Sequence, residues 1–405
     1  MATKAPRGLS ASRVELLLAG LRACEHRPRR ALAGRLTPWD LAARIRQRHA
    51  DSGAHGRAMQ KPLFAGWGIT DRCNSDCIHC WSTGVGCGYQ LSEQDALRVA
   101  DRLVESQVLC VTLSGGEPFL RPDLFEVIGS LKQKPLGVEI LSNGSLIQRH
   151  GQAVGRLLCG PGDLIQVSLD GPDPETYLRQ RGSDLFDAAL RGIAALADAG
   201  ILVRAHCVVT YVNVARLAEI YRLACSVGAA EFSVVPAAAI GRGSDIADKL
   251  DPHCYLDRMA CVLEEAGARN DGPAVTFKGG FALFALACEH GLEPPKACRP
   301  VFFAGDQLER ICINLDGSVY PSSLPYGYRA LGNLVEAPLH EFLPPTDDCP
   351  TVRDLSRTCC ARCPGVDVCQ GGDPRAAFAA SGTIDAPDPH CPVAAGAGKG
   401  ESPDV

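Results

Sequence analysis

Charge of one sign never gathers in this chain. Its 405 residues carry 41 basic and 46 acidic side chains, a formal net charge of −5. No run of like charge could track a phosphate backbone or form an acidic tail. Aromatic residues are scarce at 6%, too few for the stacking platforms that hold single-stranded nucleic acid. Nucleic acid is therefore not an expected partner. Long hydrophobic runs are lacking too; the longest fall far short of the roughly 20 apolar residues of a spanning helix. The apolar run 16–19 is bracketed by Glu15 and Arg22, and no signal-type cleavage site follows it. The expectation is a soluble, cytoplasmic protein with no membrane partner. What the chain has in quantity is cysteine, twenty in all. With no export signal and many cysteines at ligand spacings, metal binding accounts for them better than disulfides.

The length suits a full-size catalytic domain with a smaller one. Residues 1–60 are basic and helical in pattern. One helix is expected over Ser10–Cys24, with Val14, Leu17, Leu18 and Leu21 on one face. A second follows Thr37, which precedes Pro38 as an N-cap precedes a proline at the first helical position. From Leu63 short apolar runs alternate with longer amphipathic ones. Strands are expected at Leu63–Ile69, Val108–Leu113, Gly137–Ser142, Leu164–Leu169, Val203–Thr210 and Glu231–Val235. Helices are expected at Ser92–Glu105, Pro122–Lys132, Gly151–Cys159, Leu185–Ala199, Val214–Val227 and Pro252–Ala268. Repeated βα units force a parallel sheet with right-handed crossovers, and chemistry then sits at the carboxyl ends of the strands.

The stretch after the first strand carries Cys73, Cys77 and Cys80 in a C-x3-C-x2-C spacing. Soft thiolates this close select zinc or an iron–sulfur cluster. Both usually take four protein ligands, so three local thiolates leave one metal position open for a substrate or cofactor. Spacing alone leaves a zinc loop or three unrelated core cysteines as alternatives. At the second strand's end stand Gly115, Gly116 and Glu117. Paired glycines let backbone approach a ligand closely, and the carboxylate suits an ammonium group; a plain Gly-Gly turn is the alternative. Ser142 and Asn143 end the third strand with short polar groups able to reach a ribose or a carboxylate. Ser168 and Asp170 end the fourth, where Asp170 could instead cap the turn.

In these motifs and their order, the sequence from Cys73 to Gly243 resembles the radical S-adenosylmethionine (SAM) superfamily. The resemblance implies an α/β fold, an incomplete (β/α)6 barrel spanning 61–245, and the count of six units agrees with it. It implies a 4Fe–4S cluster on Cys73, Cys77 and Cys80, with SAM chelating its open iron. Gly115-Gly116-Glu117-Pro118 looks like the family's motif for the amino group of SAM, and Ser168 or Arg181 fits the place that meets its carboxylate. His79, Ser142, Asn143 and Asp170 complete the expected cofactor contacts. Gly241-Arg242-Gly243 resembles a loop frequent in the superfamily. Many peptide-modifying members carry a leader-binding winged helix at the N-terminus; residues 1–60 show no strands for one, so a helical cover is expected there.

The remainder is expected to divide into a helical bridge, 246–297, a cysteine-rich unit, 298–395, and a disordered tail, 396–405. Within the unit, Arg310 to Tyr320 alternates around Asp316-Gly317, a hairpin signal. Cys360, Cys363, Cys369 and Cys391 resemble the SPASM extension of radical SAM enzymes, which carries auxiliary clusters; zinc is the alternative for these four. Ser322 and Asp373 stand where the first auxiliary cluster of that family needs thiolates. One auxiliary 4Fe–4S cluster is therefore expected; Cys298 and Cys312 remain of the other's thiolates, and Cys349 or Cys359 could restore it. The resemblance implies a SAM-derived radical that oxidatively modifies a peptide or protein, fed by a reductant such as flavodoxin or ferredoxin. A small-molecule substrate such as a tetrapyrrole or amino sugar is one alternative. A non-catalytic electron carrier is another, and it would need no SAM motif.

Overall fold

The computed structural model describes residues 62–81, 90–160, 162–269, 271–277, 310–321, 330–343, 354–363 and most of 371–391, besides the isolated Glu15, Val366 and Ala394. The helices expected within 1–60 lie outside the described residues, as do Cys298, Cys349, Cys369, Ser322 and Asp373.

The alternation in the sequence becomes a βα repeat. Strand β1 (Phe64–Thr70) leads to helix α1 (Glu93–Glu105), β2 (Cys110–Gly115) to α2 (Leu124–Leu131), and β3 (Gly137–Ser142) to α3 (Ile147–Leu157). Strand β4 (Leu164–Ser168) is followed by two helices, α4 (Pro174–Arg181) and α5 (Phe186–Asp198). Then come β5 (Val203–Val209), α6 (Leu217–Ser226), β6 (Glu231–Pro236) and α7 (Pro252–Ala268). Caps set the helix starts. Ser92 Oγ accepts from the Asp95 amide, and Asp173 and Asp251 do the same for α4 and α7, each ahead of a proline. Helix α4 was not expected from the sequence. Its apolar face is too narrow for a periodic signal; among its buried residues are Thr176, Gln180 and Arg181.

Strands β1 to β7 pair in parallel and in chain order, β7 being Ala274–Phe277. Sequential parallel order with right-handed crossovers puts every helix on one face of the sheet. Burial bears this out strand by strand. Ala65, Trp67 and Ile69, Val111 and Leu113, Val138 and Ile140, and Phe232 and Val234 join one core with the helices. The residues between them face the other way, and Gly68, Ser114, Ser168 and His206 on that inner face are half-buried. Such an arrangement curls into an α/β partial barrel whose inside is lined by one residue in two.

The sheet is wider than six units. β7 lies in the stretch expected as a helical bridge. On the opposite edge β8 (Arg310–Ile313) pairs in parallel with β1, and β9 (Ser318–Pro321) and β10 (Gly332–Asn333) follow antiparallel. The β8–β9 hairpin turns at Asp316-Gly317, where Gly317 has φ +83°. Ile311, Ile313, Val319, Leu334 and Leu339 enter the main core. The start of the cysteine-rich unit thus shares the barrel's sheet, where each buried branched side chain contributes roughly 1.5–3 kcal/mol.

Candidate functional site

The carboxyl ends of β1 to β6 converge on the loop of Cys73, Cys77 and Cys80. Backbone bonds hold that loop from three sides. The amides of Asp76 and Ile78 donate to the carbonyls of Arg181 and Gln180, both at 3.0 Å, and the Arg242 amide donates to the Cys80 carbonyl at 3.0 Å. The amides of Gly116 and Glu117 donate to Thr70 and Arg72, at 2.6 and 2.8 Å. The glycines follow from this closeness. Gly115 sits at φ +118°, and a Cβ on Gly115 or Gly116 would run into the carbonyl of Thr70 or Arg72. Gly182, at φ +63°, likewise touches the Asp76 carbonyl. The Gly241-Arg242-Gly243 loop is explained in the same way: Arg242 bonds the loop backbone and pairs with Asp76.

Cys77 is buried, Cys80 half-buried and Cys73 exposed, and none of the three is in a disulfide. Burial pushes the Cys77 thiol up to about 11, against the nearby Arg181 charge. Metal must therefore displace its proton to bind. Among the described residues no three Cys, His, Asp or Glu side chains close on a single-ion cage. The donor set fits a thiolate-held cluster: soft sulfur, one loop, and cationic Arg181 and Arg242 beside it.

The expected SAM contacts come together, but several of them bind one another. Glu117 is 1% exposed. It accepts from the Phe119 amide at 3.2 Å, the Ser142 hydroxyl at 2.8 Å and the Asn143 amide at 2.7 Å. A carboxylate has about four acceptor sites, so three are taken. Burial raises its pKa against these donors. Ser142 Oγ in turn accepts from Gly144. Asn143 Nδ2 donates to Asn74 Oδ1 at 2.6 Å, within the cysteine loop. Glu117, expected on SAM's ammonium, thus clamps β3's end, and Asn143 passes that hold to the cysteine loop.

Asp170 is fully buried. Its carboxylate accepts from Arg181 Nη1 at 3.0 Å and from the Val208 amide at 2.7 Å. Arg181, expected on SAM's carboxylate, spends one arm on this pair while its buried Nε has no partner among the described residues. Burial opposes the Arg181 charge, yet neighbouring Cys77 and Asp170 leave its pKa raised. His79 Nε2 lies 3.6 Å from Asp170 Oδ2, and its buried Nδ1 has no hydrogen bond among the described residues. Burial lowers its pKa to about 4 in spite of Asp170, so the ring is neutral at neutral pH. Ser168, half-buried on the inner face, ends β4 beside His206 of β5. Orphaned polar atoms on His79 and Arg181, around a loop of soft donors, fit a polar cofactor bound against a cluster.

Sequence reasoning missed the polar floor of the barrel. Arg204 donates Nε to Glu231 at 2.8 Å and Nη1 to Gln166 at 3.3 Å, and pairs with Glu139, which also accepts from Thr112 at 2.9 Å. Charged residues at alternate strand positions were the available signal. In the tail, Cys359 to Arg362 form one turn, and the Cys363 amide donates to the Cys360 carbonyl at 3.0 Å. Cys391 follows Asp388, whose amide bonds Gly371 at 2.8 Å. Cys312 lies on β8 opposite Gly66, facing the barrel interior.

The model of the radical SAM superfamily matches residues 67–224. The mycofactocin maturase MftC of Mycolicibacterium smegmatis is 29% identical over 340 residues, covering 83% of this chain and 84% of the relative. The AdoMet-dependent heme synthase of Methanosarcina barkeri is 26% identical, covering 82% and 96%. Among solved structures, Streptococcus suis SuiB bound to precursor peptide SuiA superposes with a TM-score of 0.69 at 17% identity, over 88% of this chain and 82% of that one. The anSMEcpe structure with AdoMet and the Cp18Cys peptide gives 0.59 at 17% identity, over 82% and 94%. At such identity these structures speak for the fold alone. No helix among the described residues is long and apolar enough to cross a membrane. The match over residues 67–224 marks a radical SAM domain in this chain, of a family that binds SAM and a 4Fe–4S cluster, and the barrel and the clamped cysteine loop agree with it.

Proposed function

We propose that this radical SAM enzyme oxidatively modifies a peptide or protein substrate by crosslinking, dehydrogenation or cofactor maturation. The observation that carries the site assignment is the cysteine loop, clamped by the end of helix α4, the turn after β2 at Gly116 and Glu117, and Arg242 after β6. The peptide reading draws on the maturase relatives, which align over 83% of the chain. When bound, the cluster and SAM together supply a 5′-deoxyadenosyl radical able to take hydrogen from an unactivated C–H bond. The chain's own residues do the positioning. Cys73, Cys77 and Cys80 hold the cluster. The backbone at Gly115 and Gly116 admits the methionine end of SAM, while Ser168 and the Nε of Arg181, unpartnered among the described residues, face its polar groups. Arg181 and Arg242 set positive charge beside the thiolates.

Cys360, Cys363, Cys369 and Cys391 would hold one auxiliary 4Fe–4S cluster in this reading, which would supply an internal electron acceptor suited to net oxidation. A low-potential donor such as flavodoxin or ferredoxin supplies the first electron, which suits the reducing cytoplasm. The second reading is oxidation of a small molecule, favoured by the heme synthase relative. Anaerobic incubation of the reconstituted enzyme with SAM, reductant and candidate precursor peptides or a tetrapyrrole, followed by mass spectrometry, tests between them. Mass loss in units of two hydrogens on the peptide is expected. An unchanged peptide together with an oxidised tetrapyrrole would favour the second reading.

A further inference from the structure

On the inner face of the barrel, four polar residues stand in one row. Ser168 of β4 is in register with His206 of β5, His206 with Ser233 of β6, and Ser233 with Thr276 of β7. Ser233 is 0% exposed. The hydroxyls of Ser233 and Thr276 are both buried, and among the described residues neither has a hydrogen-bond partner. They sit on adjacent strands on the side away from the helices, where Val208 and Val235 beside them are half-buried. A buried hydroxyl without a partner is costly and uncommon in a folded protein. Two of them side by side on a barrel's inner wall mark a place where a ligand brings the partner.

We propose that Ser233 and Thr276 form a subsite for a neutral backbone amide of the peptide substrate, and this rests on the peptide reading given above. Each hydroxyl can donate and accept, so an amide carbonyl and an amide N–H satisfy one hydroxyl each. A carboxylate suits the place poorly. The layer directly beneath holds Glu139 and Glu231 against the single cation Arg204, an excess of negative charge. The distance also suits a peptide. Neighbouring strands lie about 4.8 Å apart, so Ser233 is two spacings and Thr276 three from Ser168, at the cofactor end of the row. An extended chain covers about 3.3 Å per residue. An amide held at Ser233 and Thr276 therefore leaves a residue three or four positions along the chain within reach of the cofactor.

The test uses the reconstituted holoenzyme with SAM and a panel of fluorescein-labelled synthetic candidate precursor peptides, the tightest binder being carried forward. Peptide affinity is read by fluorescence anisotropy for the wild type, Ser233→Ala, Thr276→Val and the double variant. SAM affinity and thermal midpoint are measured in parallel. Loss of both hydroxyls should weaken peptide binding about tenfold or more and leave SAM affinity unchanged. It should also raise the midpoint of the peptide-free enzyme, because two unpartnered buried hydroxyls are removed. That rise separates a ligand site from hydroxyls engaged structurally through water, whose removal would lower the midpoint. Peptide affinity within twofold of wild type, or a lowered midpoint, overturns the subsite. A loss of SAM affinity alone would hand the hydroxyls to the cofactor and also overturn it. Wild-type enzyme that neither binds nor changes any peptide would instead refute the peptide reading itself, and this subsite with it.

Discussion

Replacing Glu117 by glutamine separates a clamp from a cofactor ligand. Glutamine keeps the shape, and its remaining oxygen can still accept from Phe119 and Ser142. The other arm becomes an NH2 group facing the Asn143 amide, which now donates at 2.7 Å to a carboxylate oxygen. Two donors then face each other in a site 1% exposed. Loss of a charge-assisted bond costs about 1.5–3 kcal/mol, and the stranded N–H adds to it. Relief of the buried charge offsets part, since burial already raises the Glu117 pKa. The expected net loss is about 2 kcal/mol, a large fraction of a typical 5–15 kcal/mol stability. Anaerobic urea unfolding of the cluster-loaded protein without SAM measures it, with SAM affinity determined on the same samples. Both should fall, because the 143–145 turn that reaches Asn74 is loosened. Stability within about 0.5 kcal/mol of wild type, with SAM affinity down tenfold, would refute the clamp and return Glu117 to SAM's ammonium group.

Asp170→Asn should cost about 3–5 kcal/mol in the same unfolding assay, because it strands the buried Arg181 guanidinium; a loss under about 1 kcal/mol would contradict the pair. Reconstituted, desalted protein should hold about eight irons on two cubanes, with Ser322 and Asp373 leaving the first auxiliary position without thiolates. About twelve irons, or zinc on the tail cysteines, would contradict that count.

Much of the barrel was legible because its signals are local. A strand buried against helices on one side, such as Gly137–Ser142, reads as a short apolar run, and the structure places it at those residues. Helix Pro252–Ala268 was expected from its amphipathic run and is found at those bounds, with Asp251 capping it ahead of Pro252. Partner choice is not local. Arg310–Ile313 was readable as half of a hairpin, but nothing in four residues says that its other edge pairs with β1. Ala274–Phe277 is too short for any period to emerge. The site divides the same way. The cysteine spacing and the paired glycines were readable because chain neighbours make them. That Glu117, Ser142 and Asn143 would bind one another, and that Arg181 would pair with Asp170, depends on three strand ends meeting. Polar residues at strand ends look alike in sequence whether they hold a ligand or hold each other.

The central claim is that Cys73, Cys77 and Cys80 carry the cluster that drives SAM cleavage. It is tested most directly by quantifying 5′-deoxyadenosine after anaerobic incubation of reconstituted protein with SAM and dithionite. Wild type should form it, and the variant with all three cysteines changed to alanine should form none while keeping about half of the iron on the tail cysteines. Undiminished 5′-deoxyadenosine from the triple variant would contradict the assignment.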